Sequence, residues 1–147
     1  MSAKTLLIVR GLPSSGKSSF GTLVADTLVS ADDFPGLYED GFNPSLLPQA
    51  HAWCQRTIRE SLITQPNRPI VAVANTFSQR WEMEPYLVIA SELGARSYVV
   101  DLFDAGLSDA ELEARNTHGV PLTGIQAMRG RWEHDWKIGN PVPPWLR

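Results

Sequence analysis

The sequence predicts an α/β fold in three layers, with a parallel sheet of about four to five strands, helices on both faces and a small helical lid. Two observations predict this class. Apolar runs of strand length alternate with segments of helical periodicity, as expected for β-α-β units with right-handed crossovers. The segment Gly11–Ser18 follows the first apolar run and fits the phosphate-binding pattern G-x-x-x-x-G-K-[ST] in full.

Composition and charge indicate one globular domain spanning residues 1–147. Hydrophobic residues make up 43% of the chain and charged residues 20%, which is ordinary for a soluble domain. The net charge of −3 argues against a basic stripe that would bind a long nucleic acid. The single cysteine, Cys54, excludes an internal disulfide, and no signal-peptide pattern or membrane-length apolar run is present. We therefore expect a cytoplasmic protein that does not associate with membranes.

The first elements lead to and from the phosphate-binding loop. A strand at Thr5–Val9 precedes it, a helix is predicted from about 17 to 28, and a short second strand covers Leu28–Ala31. Asp32 and Asp33 follow this second strand. Because ligands of open parallel sheets lie at the carboxyl ends of the strands, both carboxylates are expected near the loop.

The remaining elements continue the alternation, beginning with a turn-rich lip at residues 35–43. Trp81, Tyr86 and Trp132 are predicted to lie in the core because of their helical spacing among apolar residues. The predicted helices cover about 44–64, 78–94, 109–116 and 121–137, and the third of them lies within a lid at about 105–120. The predicted strands cover Ile70–Ala74 and Arg96–Phe103. An extended tail is predicted at about 138–147.

The loop residues carry the chemistry of phosphate binding. Gly11 and Gly16 are predicted to take turns with positive φ, which aim successive N–H groups at phosphate oxygens. Lys17 is expected to reach the β- and γ-phosphates, and the Ser18 hydroxyl to hold Mg²⁺. The residues predicted to contact ATP are Gly11, Pro13, Ser14, Ser15, Gly16, Lys17, Ser18 and Ser19.

Several stretches, in order along nearly the whole chain, resemble one family: the P-loop kinases related to bacteriophage polynucleotide 5′-hydroxyl kinase. Within this AAA-type ATPase and kinase group, the likeness is to the small Nedd-binding-protein-like kinase domains. The matching segments are Arg10–Ser18, Ser30–Phe34, Phe42–Pro44, Ala50–Cys54, Asn75–Thr76, Trp81–Met83 with Pro85–Tyr86, Ala114–Asn116 with His118–Val120, and Arg131–Asp135.

The resemblance implies a P-loop NTPase fold and an ATP-dependent transfer of phosphate to a hydroxyl group. By position, Asp32 matches the general base, which takes the proton of the acceptor hydroxyl. Arg115 matches a lid arginine that closes on the ATP phosphates, and Lys17 stabilises the transferring phosphoryl group. The alternative role for Arg115 is an ion pair with Glu111 on the same helix.

The acceptor implied by the resemblance is the 5′-hydroxyl of DNA or RNA, presented at a single-stranded end. The residues expected on the acceptor side are Asp33, His51, Arg56, Asn75 and Thr76. A second hypothesis keeps the chemistry and takes a small hydroxyl compound, such as a nucleoside or sugar. A third is a nucleotide-binding ATPase module without kinase activity.

Three positions depart from the family pattern. Ala74 stands where the family carries an aspartate at the end of the third strand, so a carboxylate that would help to hold Mg²⁺ or orient the acceptor is missing, which motivates the third hypothesis. Ser14 replaces a loop glycine. Pro35 replaces an arginine for the substrate phosphate, and Glu39 and Asp40 make the lip acidic, which favours the second hypothesis.

Overall fold

A computed structural model, which describes residues 3–67 and 69–134, contains one four-stranded parallel sheet in the order β2-β3-β1-β4. In register, Ile8 of β1 lies beside Val73 of β3 and Val99 of β4. The strands are β1 (Thr5–Gly11), β2 (Thr27–Val29), β3 (Ile70–Asn75) and β4 (Arg96–Phe103). The α/β class predicted from the alternation of apolar runs is confirmed.

Helices cover both faces of this sheet. Leu6 and Ile8 point into a core shared with α2 and α3, whereas the intervening Leu7 and Val9 pack with Phe20 of α1 on the other face. The helices are α1 (Lys17–Val24), α2 (Leu47–Thr64), α3 (Arg80–Glu92), α4 (Asp109–Arg115) and α5 (Leu122–Gly130), with short 3₁₀ turns at Ala31–Asp33 and Pro44–Leu46. Among the described residues, no helix is both long and apolar enough to cross a bilayer.

The first helix ends earlier than its sequence pattern predicts. It stops at Val24, and Leu28 lies in the short strand β2 rather than at the helix end. Asp26 explains the change: its N–H donates to the Ile70 carbonyl, and its carboxylate accepts from the Ile70 N–H, both at 2.8 Å. Pairing with the edge of β3 therefore overrides the local helical pattern. The strand predicted at Leu28–Ala31 ends at Val29, and Ala31 begins a 3₁₀ turn instead.

The last helix is also shorter than predicted, because α5 ends at Gly130 instead of continuing to 137. Beyond it, Trp132 is fully buried and the Glu133 N–H donates to the Ser78 carbonyl at 2.8 Å. These contacts draw the chain into the core, away from a helical path. The predicted tail at 138–147 lies outside the described residues.

Trp81 was expected in the core, and this expectation is wrong: its side chain is 68% exposed. The buried residues of α3 are Met83, Tyr86, Ile89 and Ala90, which form one stripe at helical spacing. Trp81 lies off that stripe, with the exposed Val88 two turns further along the same side. The core assignments of Tyr86 and Trp132 are confirmed.

Arg10, near the end of β1, is buried beneath the phosphate-binding loop. It pairs with Asp101 of β4 at 3.3 Å, and its guanidinium lies 4.0 Å from the centre of the Trp132 ring. The guanidinium also donates to the carbonyl oxygens of Phe77, Ser78 and Glu133 at 3.0, 3.1 and 2.8 Å. One side chain thus joins β1 to β4, to the β3–α3 connection and to the chain after α5.

Burial is the larger electrostatic effect on both members of this ion pair. It lowers the pKa of the Arg10 guanidinium against the opposing charge of Asp101, and it raises the pKa of the Asp101 carboxyl against the charge of Arg10. The carboxylate alone therefore does not explain why a cation is stable here. The three carbonyl acceptors complete the coordination of the fork-shaped guanidinium.

Replacing Arg10 tests this arrangement. Arg10→Lys is expected to lower the free energy of unfolding by about 3 kcal/mol, because one ammonium cannot satisfy three carbonyls and a carboxylate spread around a guanidinium. Urea unfolding gives the value. Arg96→Lys, an exposed change on β4, is the control and should remain within about 0.5 kcal/mol of the parent. Equal stability of the two variants would contradict the role assigned to Arg10.

Candidate active site

A cleft of about 900 Å³ lies at the carboxyl end of the sheet, between the phosphate-binding loop and the lid. Its walls also include the 3₁₀ turn after β2, the lip at 35–43, one side of α2 and the start of α3. The sequence-predicted site residues that line it are Pro13, Ser14, Gly16, Lys17, Ser18, Ser19, Asp32, His51, Asn75, Thr76 and Arg115. Asp33 and Arg56 do not line this cleft, although the sequence analysis placed them on the acceptor side.

The loop is fixed to both neighbouring strands at its base. The Gly11 N–H donates to the Thr76 carbonyl at 3.2 Å, after β3, and the Leu12 N–H donates to the Phe103 carbonyl at 2.8 Å, at the end of β4. The Leu12 side chain is buried in a small cluster with Leu112 of α4 and residues of α5. The loop and the lid therefore share one core.

Gly11 and Gly16 serve different purposes. Gly16 has a φ of 100°, in the left-handed region, as predicted. The prediction of a positive φ is wrong for Gly11, whose requirement is space: a Cβ there would lie 2.2 Å from Ser15 Oγ and 3.2 Å from Lys17 Cγ. Ser14, which replaces the family glycine, takes a left-handed φ of 68° itself.

The loop geometry fits a bound phosphate. Ser15 Oγ is buried and, among the described residues, has no hydrogen-bond partner. Lys17 Nζ donates to the Leu12 carbonyl at 3.0 Å. Burial lowers the pKa of Lys17 to about 8, and the charge of Asp32 opposes this shift. An anion that displaced the Leu12 contact would stabilise the charged lysine, at the N-terminus of α1 where the helix dipole also favours negative charge.

Asp32 lies beneath a contact between the lip and the lid. Its Oδ1 accepts a hydrogen bond from the Tyr38 hydroxyl at 3.1 Å, and its Oδ2 lies 3.9 Å from Nε2 of His118, which follows α4. The Tyr38 and His118 rings stack with centres 4.6 Å apart. Burial and then the charge of Asp32 raise the pKa of the Tyr38 hydroxyl, so it remains a hydrogen-bond donor to the carboxylate.

The 3₁₀ turn that carries Asp32 is stabilised by one side chain from β3 and by one of its own side chains. Asn75, at the end of β3, accepts from the Ala31 N–H at 2.9 Å through its side-chain oxygen. Asp33 closes a capping box by accepting from the Ser30 N–H at 3.2 Å. Both side chains predicted for the acceptor side therefore position Asp32 in this structure.

The arginines separate into structural and cleft-facing groups. Arg129 is bound by Asp104 and Asp109 at 2.6 and 2.7 Å, which fixes α5 to the first residue of α4 and to the segment before it. Arg115 is exposed at the end of α4, and within the described residues it forms no ion pair with Glu111, which instead accepts from the Ser108 N–H at 3.2 Å. Arg131 also lines the cleft.

Sequence reasoning assigned no site role to many of the cleft residues, and four examples are Tyr38, Gln55, Trp81 and His118. Two of them had a signal in the sequence. Gln55 is one helical turn from His51, and Trp81 lies off the apolar stripe of its helix. Tyr38 and His118 lie in irregular segments 80 positions apart, where periodicity carries no information about contact.

The chain is similar in sequence to one family and to a human protein. Residues 6–134 match the sequence profile of a family described as an AAA domain. NEDD4-binding protein 2 of Homo sapiens is 33% identical over 135 residues, a match that covers 84% of this chain and 7% of that protein. The chain thus spans a small part of the length of this relative.

Solved structures of small-molecule kinases share the fold. A gluconokinase from Sinorhizobium meliloti has a TM-score of 0.59 at 17% identity, covering 95% of this chain and 81% of that one. The APS kinase of Mycobacterium tuberculosis, in complex with AMPPNP and APS, has a TM-score of 0.54 at 15% identity, covering 98% and 86%. At these identities, the likeness shows the P-loop kinase-like fold alone.

Filling the space at Gly11 is expected to disrupt nucleotide binding. Gly11→Ala should weaken ATP affinity by at least about tenfold, because the added methyl group displaces Ser15 and Lys17 from the loop. Gly130→Ala is the matched control, since a Cβ at that position meets nothing within 4 Å. Isothermal titration calorimetry measures both, and unchanged affinity in Gly11→Ala would contradict the proposed packing.

Nucleotide binding at alkaline pH is expected to take up a proton. Lys17 in the free protein has a pKa of about 8, below its usual value, so at about pH 9 most of it is neutral and phosphate oxygens will draw it back to the charged form. ATP affinity should consequently fall above about pH 8. Calorimetry in buffers of different ionisation enthalpy gives the proton count, and Lys17→Arg, which stays charged, should show no such uptake. Equal uptake in both proteins would rule out Lys17 as its source.

Proposed function

The chain belongs to the family of AAA domains, and we propose from this premise that it is an ATP-dependent kinase that transfers the γ-phosphate to a hydroxyl group. One observation carries the proposal: the loop lysine and a hydrogen-bonded carboxylate, Lys17 and Asp32, line the same cleft. A phosphate-binding loop alone would serve any nucleotide-binding protein. A carboxylate held opposite it supplies the base that a hydroxyl acceptor requires.

The proposed reaction places each group in a defined role. Asp32 accepts the proton of the acceptor hydroxyl as the new O–P bond forms and the bond to the β-phosphate oxygen breaks, releasing ADP. Lys17 neutralises charge on the phosphoryl oxygens, and Arg115 does so from the lid. Because Tyr38 donates to Oδ1 of Asp32, we assign the proton to Oδ2, which lies 3.9 Å from Nε2 of His118.

One residue of the phosphate-binding loop, Ser18, is suited to hold Mg²⁺. Ser18 is exposed at the start of α1 and lines the cleft, so its hydroxyl would hold the ion together with phosphate oxygens. When bound, Mg²⁺ neutralises charge on the transferring phosphate. Asp33 is engaged in its capping box, and Ala74 offers no ligand, so the chain itself supplies few metal contacts.

Two acceptor classes are compatible with this chemistry. The 5′-hydroxyl of a single-stranded DNA or RNA end is suggested by the resemblance to the polynucleotide kinase group. A small hydroxyl compound is supported by the acidic lip, where Glu39 and Asp40 would repel a polyphosphate backbone. An ATPase without an acceptor is the third candidate, supported by Ala74, and it differs from both in needing no general base for a hydroxyl substrate.

Removing the carboxylate of Asp32 tests the kinase assignment. Asp32→Asn is expected to reduce transfer of labelled γ-phosphate to a hydroxyl acceptor by about 10²–10⁴-fold, because the amide cannot take the proton. ATP affinity should remain within about threefold of the parent, since the loop is untouched. Acceptors for the assay include nucleosides, sugars and oligonucleotides with a free 5′-hydroxyl.

Glu60→Gln, an equal loss of charge on the exposed side of α2, is the control and should retain full transfer. Transfer that persists in Asp32→Asn would overturn the assignment of the base. ATP hydrolysis without transfer to any acceptor, unaffected by Asp32→Asn, would favour the ATPase candidate.

A further inference from the structure

The cations that line the cleft come mainly from the elements assigned to ATP, Lys17 from the loop and Arg115 from the lid. The helices α2 and α3 also carry arginines. Arg59 pairs with Glu92 and Arg80 with Glu84, at 2.6 and 2.7 Å. Arg56 of α2 is exposed and does not line the cleft. In the described part of the chain, the 3₁₀ turn after β2, the lip, α2 and α3 contribute no lysine or arginine to the cleft lining. The surroundings of Asp32 therefore hold no ready partner for a second phosphate group.

The third lysine or arginine of the lining is Arg131, and it lies close to the carboxylate of Glu82. Its Nε donates to Ser78 Oγ at 3.1 Å, and the same hydroxyl donates to Glu82 Oε2 at 2.8 Å. Glu82 lines the cleft as well, so the charges of Arg131 and Glu82 largely offset each other there. Together with Asp32, this leaves the acceptor side without net positive charge.

Flat aromatic faces replace cations on this side. Trp81 and Phe42 line the cleft and are 68% and 51% exposed, which is unusual for side chains of this size. The Trp81 indole is oriented by a hydrogen bond of 2.9 Å from its Nε1 to Gln79 Oε1. Phe42 packs on Tyr38 with ring centres 5.4 Å apart. Such surfaces suit a planar ring of a ligand, which stacks without regard to charge.

Two side chains that can both donate and accept hydrogen bonds complete the lining. His51 and Gln55, one turn apart on α2, both face the cleft. Their ring nitrogens and amide provide hydrogen-bond donors and acceptors for hydroxyl groups and for the edges of a heterocycle. A ligand with a ring, several hydroxyls and no charge matches this combination.

We propose that the acceptor is an uncharged nucleoside, an inference that rests on the proposed kinase function. Its base stacks on the exposed aromatic side chains of the cleft, which include Trp81, and its hydroxyl faces Asp32. The O–H bond of the nucleoside breaks, its proton passes to Asp32, and the γ-phosphoryl group moves from ADP oxygen to nucleoside oxygen. The products are ADP and a nucleoside monophosphate. A phosphate group already present on the acceptor would be repelled by the carboxylates of Asp32 and Glu82, and among the residues that the structure describes no arginine or lysine on this side is available to neutralise it.

The test compares each of the four ribonucleosides with its own 3′-monophosphate, which has the same base and the same 5′-hydroxyl. Phosphate transfer from labelled ATP and equilibrium binding, with a non-hydrolysable ATP analogue saturating the loop, are both measured. At least one nucleoside is expected to exceed its 3′-monophosphate by about tenfold in kcat/KM and in affinity. Ribose, which lacks the base, should fall below that nucleoside by a similar factor.

Variants of α3 test the stacking surface. Trp81→Ala should raise KM for the nucleoside by about tenfold and leave KM for ATP unchanged, and Trp81→Phe should restore most of the loss. Val88→Ala changes another exposed apolar residue of α3, one outside the cleft lining, and as the matched control it should have no effect.

The outcomes separate this inference from the proposed function. Transfer that favours 3′-monophosphates or oligonucleotides would overturn the nucleoside acceptor and leave the kinase in place. Nucleoside binding that depends on Trp81, with no transfer to any acceptor, would support the pocket and overturn the kinase. Absence of nucleoside binding in the presence of the ATP analogue would overturn the inference.

Discussion

The buried guanidinium of Arg10 is the interaction on which the rest of the site depends. It donates hydrogen bonds to three backbone carbonyls, in the β3–α3 connection and in the segment after α5, and it forms an ion pair with Asp101 on the neighbouring strand. Carbonyls left without a donor at this depth would each cost free energy of the order of 1–3 kcal/mol, so the segments cannot separate independently. Because Arg10 directly precedes the loop, the same contacts set where the loop begins and where α3 presents its aromatic side chain.

Two charged side chains of the cleft are held in different ways. Lys17 donates to the Leu12 carbonyl, and burial lowers its pKa, so that a nearby anion would stabilise its charged form. Asp32 is held by a turn that Asn75 secures from the end of β3. The Ala74-Asn75-Thr76 segment contributes here through Asn75, whose side-chain oxygen supports the turn that carries Asp32, whereas Ala74 offers no polar side chain. Tyr38 and His118 then join the lip and the lid above Asp32.

The predicted elements succeeded where a pattern is repeated along the chain and failed where a single distant contact decides. The class, the four strands and the helices α2 to α4 follow from periodicity and capping residues. The end of α1 was misplaced because Asp26 pairs with Ile70, and the end of α5 because Trp132 and Glu133 are drawn to Arg10. Trp81 was predicted to be buried from its helical spacing among apolar residues, but the buried stripe of α3 starts at Met83 and leaves Trp81 on the exposed side.

By itself, the sequence determined the phosphate-binding loop, the α/β order and the placement of Asp32 at a strand end. These features depend on residues that are neighbours in the chain, and their backbone requirements can be read locally. Only the tertiary structure decided that Gly11 is needed for space, that Asn75 and Asp33 support Asp32, and that Tyr38 and His118 meet over it. It also decided which faces of α2 and α3 line the cleft. The reason is that side-chain direction and charge balance in a cleft arise from contacts between segments whose separation along the chain contains no periodic signal.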